Sequence, residues 1–323
     1  EVFPIPFNGR KRRVELARLY ANLDEDPEEW PLQERTSVEP ILPEPVEPVR
    51  GQPQCPAWPF DLQEARERQR AAGYPVEREI ELAPGVKLTL VRIPAGEFLM
   101  GDPEGTPDEQ PVHRVSISKP FWMGAYEITN RQYNLFDPTH DSRYINHINT
   151  NHETRGFPVN LPEQPVVRVS WNEALAFCRW LSEKTGENFT LPSEEQWEWA
   201  CRAGTSTPFY YGFLKTDFAP WANMADASLK GFAEHARSHG QLYRIQLDWM
   251  LRIPEVDDRA MVSAPVGQYY PNAWGLYDMH GNVAEWTSSD YVSYSDGRPV
   301  GEPGRKVVRG GSWYDRPYRC RSG

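Results

Sequence analysis

No stretch of this 323-residue sequence approaches the ~20 consecutive apolar residues that a bilayer-spanning helix needs, which argues against a transmembrane segment. Cations are in the minority. The chain has 35 Lys and Arg against 46 Asp and Glu, a formal net charge of -11, whereas nucleic-acid binding draws its affinity from clustered basic side chains. A phosphate backbone is therefore not the expected partner, and hard cations suit the surface better. Cysteine is scarce. The four present (Cys55, Cys178, Cys201 and Cys320) have neither CxxC nor zinc-finger spacing, so a zinc-thiolate site is not expected, while one or two disulfides are possible. There is no glycine-rich phosphate loop and no Gly-x-Ser-x-Gly elbow, so neither nucleotide chemistry nor the α/β-hydrolase serine mechanism has its usual apparatus. His113 and His280 lie outside any spaced His/carboxylate motif such as HxxxH, and structural roles are expected for both. No internal repeat is found.

What the sequence does have is 31 prolines, 23 glycines and 12 tryptophans. This predicts low regular secondary structure, with ordered loops and aromatic side chains supplying the burial. Residues 1–76 read as a Pro/Glu-rich extension. It holds a basic cluster (Arg10 to Arg13) expected to be solvated, a proline-dense strap from Glu39 to Pro53, and a short polar helix over Asp61–Ala72 stopped by Gly73. The sequence opens at Glu1 rather than methionine, consistent with processing or with a piece of a longer protein.

A compact domain is expected over 77–323. Val86, Leu88 and Leu90 alternate as in a half-buried strand, and Pro94-Ala95-Gly96 turns the chain before Phe98 and Met100. Three capping boxes, beginning at Thr129, Ser170 and Ser193, each place a hydroxyl three residues before Gln or Glu. They predict helix starts there, with helices near 170–184 and 193–203 that pack together across Leu191-Pro192, and mostly irregular structure after 204.

Six ordered strings carry a family resemblance. Asn272-Ala-Trp-Gly-Leu-Tyr-Asp-Met-His-Gly-Asn-Val-Ala-Glu-Trp286 and Val308-Arg-Gly-Gly-Ser-Trp313 are joined by Ile93-Pro-Ala-Gly-Glu-Phe-Leu-Met-Gly101, Glu127-Ile-Thr-Asn-Arg-Gln-Tyr133, Val169-Ser-Trp-Asn-Glu-Ala174 and Leu191-Pro-Ser-Glu-Glu-Gln-Trp-Glu-Trp199. Together they resemble the formylglycine-generating (sulfatase-modifying factor) family. The resemblance implies an α+β fold, a variant of the C-type lectin fold. It also implies two calcium sites. One matches Asp278, Gly281, Val283 and Glu285, and the other matches Asn223, Met224, Asp258 and Ala260, where Arg259 stands at a position that is often glycine in the family. Read from the residues alone, the first set is a glycine-containing turn whose carboxylates and carbonyls offer a hard cation only oxygen, or else a capped turn with a solvated Glu285.

Active members of the family have two cysteines shortly after Gly-Gly-Ser that bind copper(I) and oxidise a substrate cysteine to formylglycine. Here Asp315 matches the first, and Ala284 replaces a tryptophan common in active members. Carboxylate is a poor ligand for copper(I), so copper is not an expected cofactor. The resemblance pairs Cys320 with Cys201 in a disulfide. A lone catalytic thiol and a buried free cysteine are the other readings of Cys320. The family partner of Cys178 would lie beyond residue 323, where members continue with a further strand, so the domain reads as cut short.

The expected function is a non-catalytic, calcium-stabilised binding or assembly module with a protein or peptide partner, in an extracytoplasmic (periplasmic or secreted) setting. One alternative is a metal-dependent oxidase of peptide cysteine with a rearranged site, for which Ser312 and Cys320 are the weak catalytic candidates. Another is the variable ligand-binding protein of a diversity-generating retroelement, with Tyr314, Asp315, Arg316, Tyr318 and Arg319 as its binding surface.

Overall fold

The computed structural model describes residues 53–145, 157–229, 253, 255–295 and 298–323. The basic cluster at Arg10–Arg13 and nearly all of the proline-dense strap lie outside these residues. Residues Pro40–Gly323 belong to one compact unit.

The short polar helix is present as α1 (Leu62–Ala71), started by the Asp61 side chain accepting from the Glu64 amide. It is built into the domain. Phe60 and Ala65 are buried in the main core, the Gln69 amide donates to the carbonyls of Arg92 and Trp274, and the Trp274 indole donates back to the Ala65 carbonyl at 3.0 Å. The boundary expected at 76/77 thus falls inside the compact unit, because the helix covers aromatic surface that the later chain leaves open.

Every named strand pair is antiparallel. β1 (Glu77–Ala83), β2 (Val86–Ile93) and β5 (Phe121–Gly124) form one sheet with β2 in the centre, and β3 (Gly96–Met100) pairs with β4 (His113–Ile117). β6 (Tyr144–Ile145) and β7 (Phe157–Pro158) form a minimal pair. Alternation along β2 sends its two faces to different places. Leu88 and Leu90 join one apolar cluster, while Val91 and Ile93 join the main core.

All three capping boxes form, at Thr129, Ser170 and Ser193. They start α2 (Asn130–Tyr133), α3 (Trp171–Thr185) and α4 (Glu194–Arg202), and α3 stops at Gly186 in the left-handed conformation. The two longer helices do not share one core. Phe177 and Leu181 of α3 bury with Leu88 and Leu90, whereas Trp197 and Trp199 of α4 bury with Ile93, Phe98 and Trp274. Residues 205–284 hold a single short 3-10 helix (Ala227–Leu229) and are otherwise irregular among those described, but the chain then forms a long hairpin of β8 (Glu285–Ser295) and β9 (Arg298–Arg309). Its Ser, Gly and Pro content and its two register breaks hide the period-2 pattern from the sequence.

Helix α4 carries a fully buried carboxylate into the centre. Glu198 accepts from Arg202 Nε at 2.9 Å, from Arg309 Nη2 at 2.5 Å and from the Gly101 amide at 2.8 Å. Burial alone would raise its pKa, and the Arg202 and Arg309 charges overcome that and hold it below the ordinary 4.5. A depressed carboxyl stabilises the fold above its unfolded pKa and loses that contribution as the pH falls through the folded value. Glu198→Gln should cost about 3–5 kcal/mol in urea unfolding at neutral pH, because two buried guanidiniums lose their counter-charge. The difference from wild type should shrink as the pH is lowered below 4.5.

Candidate functional site

Three segments far apart in sequence are sewn together by backbone bonds. The Gly281 amide donates to the Gly310 carbonyl at 2.8 Å, the Asn282 amide to the Asn223 carbonyl at 2.8 Å, and the Trp313 amide to the Asn282 carbonyl at 3.0 Å. Asp278, Gly281 and Asn282 have φ of 56°, 82° and 52°, all left-handed. At Gly281 this requires glycine on two counts, since a Cβ there would also lie 2.0 Å from the Asn223 carbonyl oxygen. The turn with the first set of candidate ligands, the segment opening the second, and the Gly-Gly-Ser loop are therefore one structural unit.

In the turn, Asp278 is buried, and its Oδ2 accepts from the Gly267 amide at 2.7 Å while its buried Oδ1 accepts no hydrogen bond. Glu285 Oε2 accepts from the Trp197 indole at 2.8 Å. A third carboxylate, Glu127, was not anticipated. Its Oε1 accepts from the Asn282 amide group at 3.0 Å, and its buried Oε2 has no partner. Burial pushes Asp278 up to about 6. Burial and then the Asp278 charge push Glu285 up to about 7, and burial with both neighbouring carboxylates raises Glu127 well above its ordinary range. The hint in the sequence was an acid between Tyr126 and Ile128 in an otherwise apolar run, but nothing local ties it to Asp278.

In the second set, Asp258 accepts from the amides of Met224 (2.9 Å) and Ala260 (2.8 Å), closing the loop on itself. Asp226, also unanticipated, accepts from the Asp258 amide and from the Ser228 amide. Burial and then the Asp226 charge push Asp258 up to about 8. Asn223 is buried, donates to the Val262 carbonyl and to Asn282 Oδ1, and leaves its own Oδ1 without a partner. Arg259 adopts φ 67°, the left-handed conformation that glycine takes freely, at a cost of about 1 kcal/mol or more.

Among the described residues, no three His, Cys, Asp or Glu side chains gather in a metal-holding arrangement. The two sets offer another kind of environment, in which one or two carboxylates stand among amide and carbonyl oxygens. Buried, unpartnered Asp278 Oδ1 and Asn223 Oδ1 fit a hard oxygen-seeking cation better than a thiophilic one.

The Gly-Gly-Ser loop packs against the same unit. Gly310 and Gly311 have φ of 86° and 70°, and a Cβ on Gly311 would lie 2.5 Å from Cys320 Sγ. Ser312 donates through both its amide and its hydroxyl to Asp315 Oδ2, at 3.1 and 2.7 Å. Tyr314, Tyr318 and Arg319 are exposed, whereas Asp315 and Arg316 are half-buried, so only part of the expected binding surface faces solvent. All four cysteines are free thiols, and the Cys201–Cys320 bond that the family resemblance implies is not formed in this structure. Cys201 Sγ lies against His280 and the Ser322 hydroxyl, while Cys320 Sγ lies beneath Gly311 and the Ser312 carbonyl. Burial raises both thiol pKa values, that of Cys201 to about 12.

Residues 79–323 match the family described as the sulfatase-modifying factor enzyme 1-like domain. The chain belongs to that family. It is 29% identical over 287 residues to the inactive C-alpha-formylglycine-generating enzyme 2 of Bos taurus, covering 74% of this chain and 80% of that one. It is 30% identical over 281 residues to the formylglycine-generating enzyme of Streptomyces coelicolor, covering 71% and 80%. Among solved structures, PvdO from Pseudomonas aeruginosa aligns with a TM-score of 0.55 at 28% identity, over 76% of this chain and 90% of that one. The mixed helix and sheet content with modest regular structure is that of this sulfatase-modifying fold.

Within the sulfatase-modifying domain, His280 serves the structure. It is fully buried, with Nδ1 donating to the Cys320 carbonyl at 2.7 Å and Nε2 accepting from the Tyr210 amide, and burial pushes its pKa down to about 3. His113 stands on β4, exposed, with Nδ1 bonded to the Pro111 carbonyl. Because Gly281 joins all three segments, Gly281→Ala should lose at least about 2 kcal/mol from strain alone. Thermal melts should show it among the least stable single substitutions in the domain.

Proposed function

We propose that this chain is a non-catalytic binding or assembly module of the sulfatase-modifying factor family, stabilised by calcium and acting on a protein or peptide partner. The observation that carries the reading is Asp315. It stands at the first thiol position of the active enzymes, and its carboxylate is engaged by Ser312 within its own loop. Copper(I) chemistry of the family type requires soft thiolates, and Cys320, the nearest thiol, is buried with a raised pKa. The Bos taurus relative named as inactive is consistent with a family member that has left catalysis behind.

Calcium would be held by the Asp278 and Glu285 side chains with the carbonyls of Gly281 and Val283, and at the second set by Asn223 and Asp258 with the carbonyls of Met224 and Ala260. Its chemistry there is neutralisation of buried negative charge and cross-linking of loops that have little regular structure. Exposed Tyr314, Tyr318 and Arg319 offer a partner two aromatic faces and a cation. Among the described residues no helix is long and apolar enough to cross a membrane. An extracytoplasmic setting, periplasmic or secreted, suits a module that takes calcium at the higher concentrations found there.

Two experiments test this reading. Millimolar calcium should raise the melting temperature of the wild type, the rise should shrink in Asp278→Asn and Glu285→Gln, and it should vanish when either is combined with Asp258→Asn. Stoichiometric zinc or iron with no calcium in dialysed protein would overturn the metal assignment. With copper(I), oxygen and a peptide containing Cys-x-Pro-x-Arg, mass spectrometry should find no more aldehyde than with Cys320→Ser. Aldehyde above that control would make the chain an oxidase.

A further inference from the structure

A second surface lies away from the unit that joins the two ligand sets to the Gly-Gly-Ser loop. The first residue of α3 and the β8–β9 hairpin border an open cleft of about 410 Å3, lined by Trp171, Trp286, Tyr291, Gly304, Arg305 and Lys306. That volume falls in the range of roughly 300–1,000 Å3 typical of ligand sites. Its walls are fixed from behind. The Trp171 indole donates to the Thr287 carbonyl at 2.8 Å, the Trp286 indole to the Val169 carbonyl at 2.9 Å, and the Tyr291 hydroxyl to Asp108 at 3.1 Å. With their polar atoms engaged elsewhere, the rings of Trp286 and Tyr291 offer apolar surface to the cleft at little entropic cost on binding, while one face of Trp171 is covered by Lys306.

The rim is cationic. Lys306 Nζ sits 4.3 Å over the Trp171 ring and pairs with Asp290; the lysine side chain is 20% exposed and the aspartate 66%, so a competing carboxylate would have to take the place of Asp290 from the solvent side. Arg305 beside it is exposed. Gly304 leaves the mouth open, since a Cβ there would meet nothing within 4 Å. Val308, paired across the hairpin with Trp286, is 48% exposed and extends the apolar surface out of the cleft.

We propose that this cleft docks an acidic, proline-bearing peptide segment of a protein partner. Rigid aromatic slots accept proline rings in extended peptides without further ordering of the ligand. The two cations select carboxylates on a protein whose net charge of -11 would otherwise repel them. The inference rests on the reading of this chain as a binding module and assigns that module a second contact site.

Fluorescence anisotropy of a labelled peptide of alternating proline and glutamate, titrated with the full chain, tests it. Saturable binding is expected, with none for the matching proline-lysine peptide. Trp171→Ala should weaken binding roughly tenfold or more, the loss expected of an aromatic anchor. Because that variant removes a buried bond, Arg305→Glu with Lys306→Glu provides the independent arm. The double variant gives up the Lys306–Asp290 pair and the contact over Trp171, so its folding is verified by a thermal melt and binding is compared at equal folded fraction; it should abolish glutamate-peptide binding and create lysine-peptide binding. No saturable binding by the wild type, or binding unchanged in the double charge variant, overturns the proposal. If binding instead disappears in Tyr314→Ala with Arg319→Ala and persists in the charge variant, the module reading stands and the cleft does not.

Discussion

Glu198 places a full negative charge where no water reaches it, and the placement of three distant parts of the chain follows from how that charge is satisfied. Arg202 comes from the same helix, Arg309 from the end of the hairpin, and Gly101 from the end of β3. A carboxylate that would be costly alone becomes a geometrical constraint once two guanidiniums converge on it, since each must arrive in the plane of the carboxylate oxygens. Arg309 immediately precedes Gly310-Gly311-Ser312, so this ion network positions that loop. Arg321 extends the same logic outward. Its guanidinium lies over Tyr318 at 4.0 Å and pairs with Glu109 and Asp102, tying the chain's last residues to the loop after β3.

His280 is the neutral counterpart of this arrangement. Its two nitrogens are matched to one acceptor and one donor, and the rings of Phe209, Tyr210 and Tyr211 stand around it within 5.0, 5.1 and 5.6 Å. Protonation would turn its Nε2 acceptor into a second donor facing the Tyr210 amide, which is why burial holds the ring neutral. The residue reads as catalytic only if its place in a ligand-rich turn is taken without its partners. With the partners in view, it is a spacer joining the turn, the Cys320 segment and the aromatic loop.

Features set by local chemistry were legible in the sequence. Capping at Thr129, Ser170 and Ser193, the alternation of Leu88 and Leu90, and Gly281 of the 278–285 turn all act within a few residues. Features set by encounters between distant segments were not. Glu127 meets Asp278, Asp226 meets Asp258 and Gln69 meets Trp274 with no signature near either member. The separation of α3 from α4 is of the same kind, because one central strand divides the apolar residues between two clusters and neither helix records which side it will face. The candidate ligands were visible as a pattern, but the excess of acid around them emerged only from the fold.

That excess distinguishes the turn from the Gly-Gly-Ser loop beside it. In the loop, the Asp315 carboxylate accepts from the Ser312 amide and hydroxyl and so stiffens its own turn by local bonds alone. The oxygen-rich turn is different in kind. Burial raises the pKa of all three acids, the Asp278 charge raises Glu285 further, and both raise Glu127, in a region where Gly281 has no room for a Cβ, so losing Asp278 shifts the charge balance beside a backbone that cannot give way.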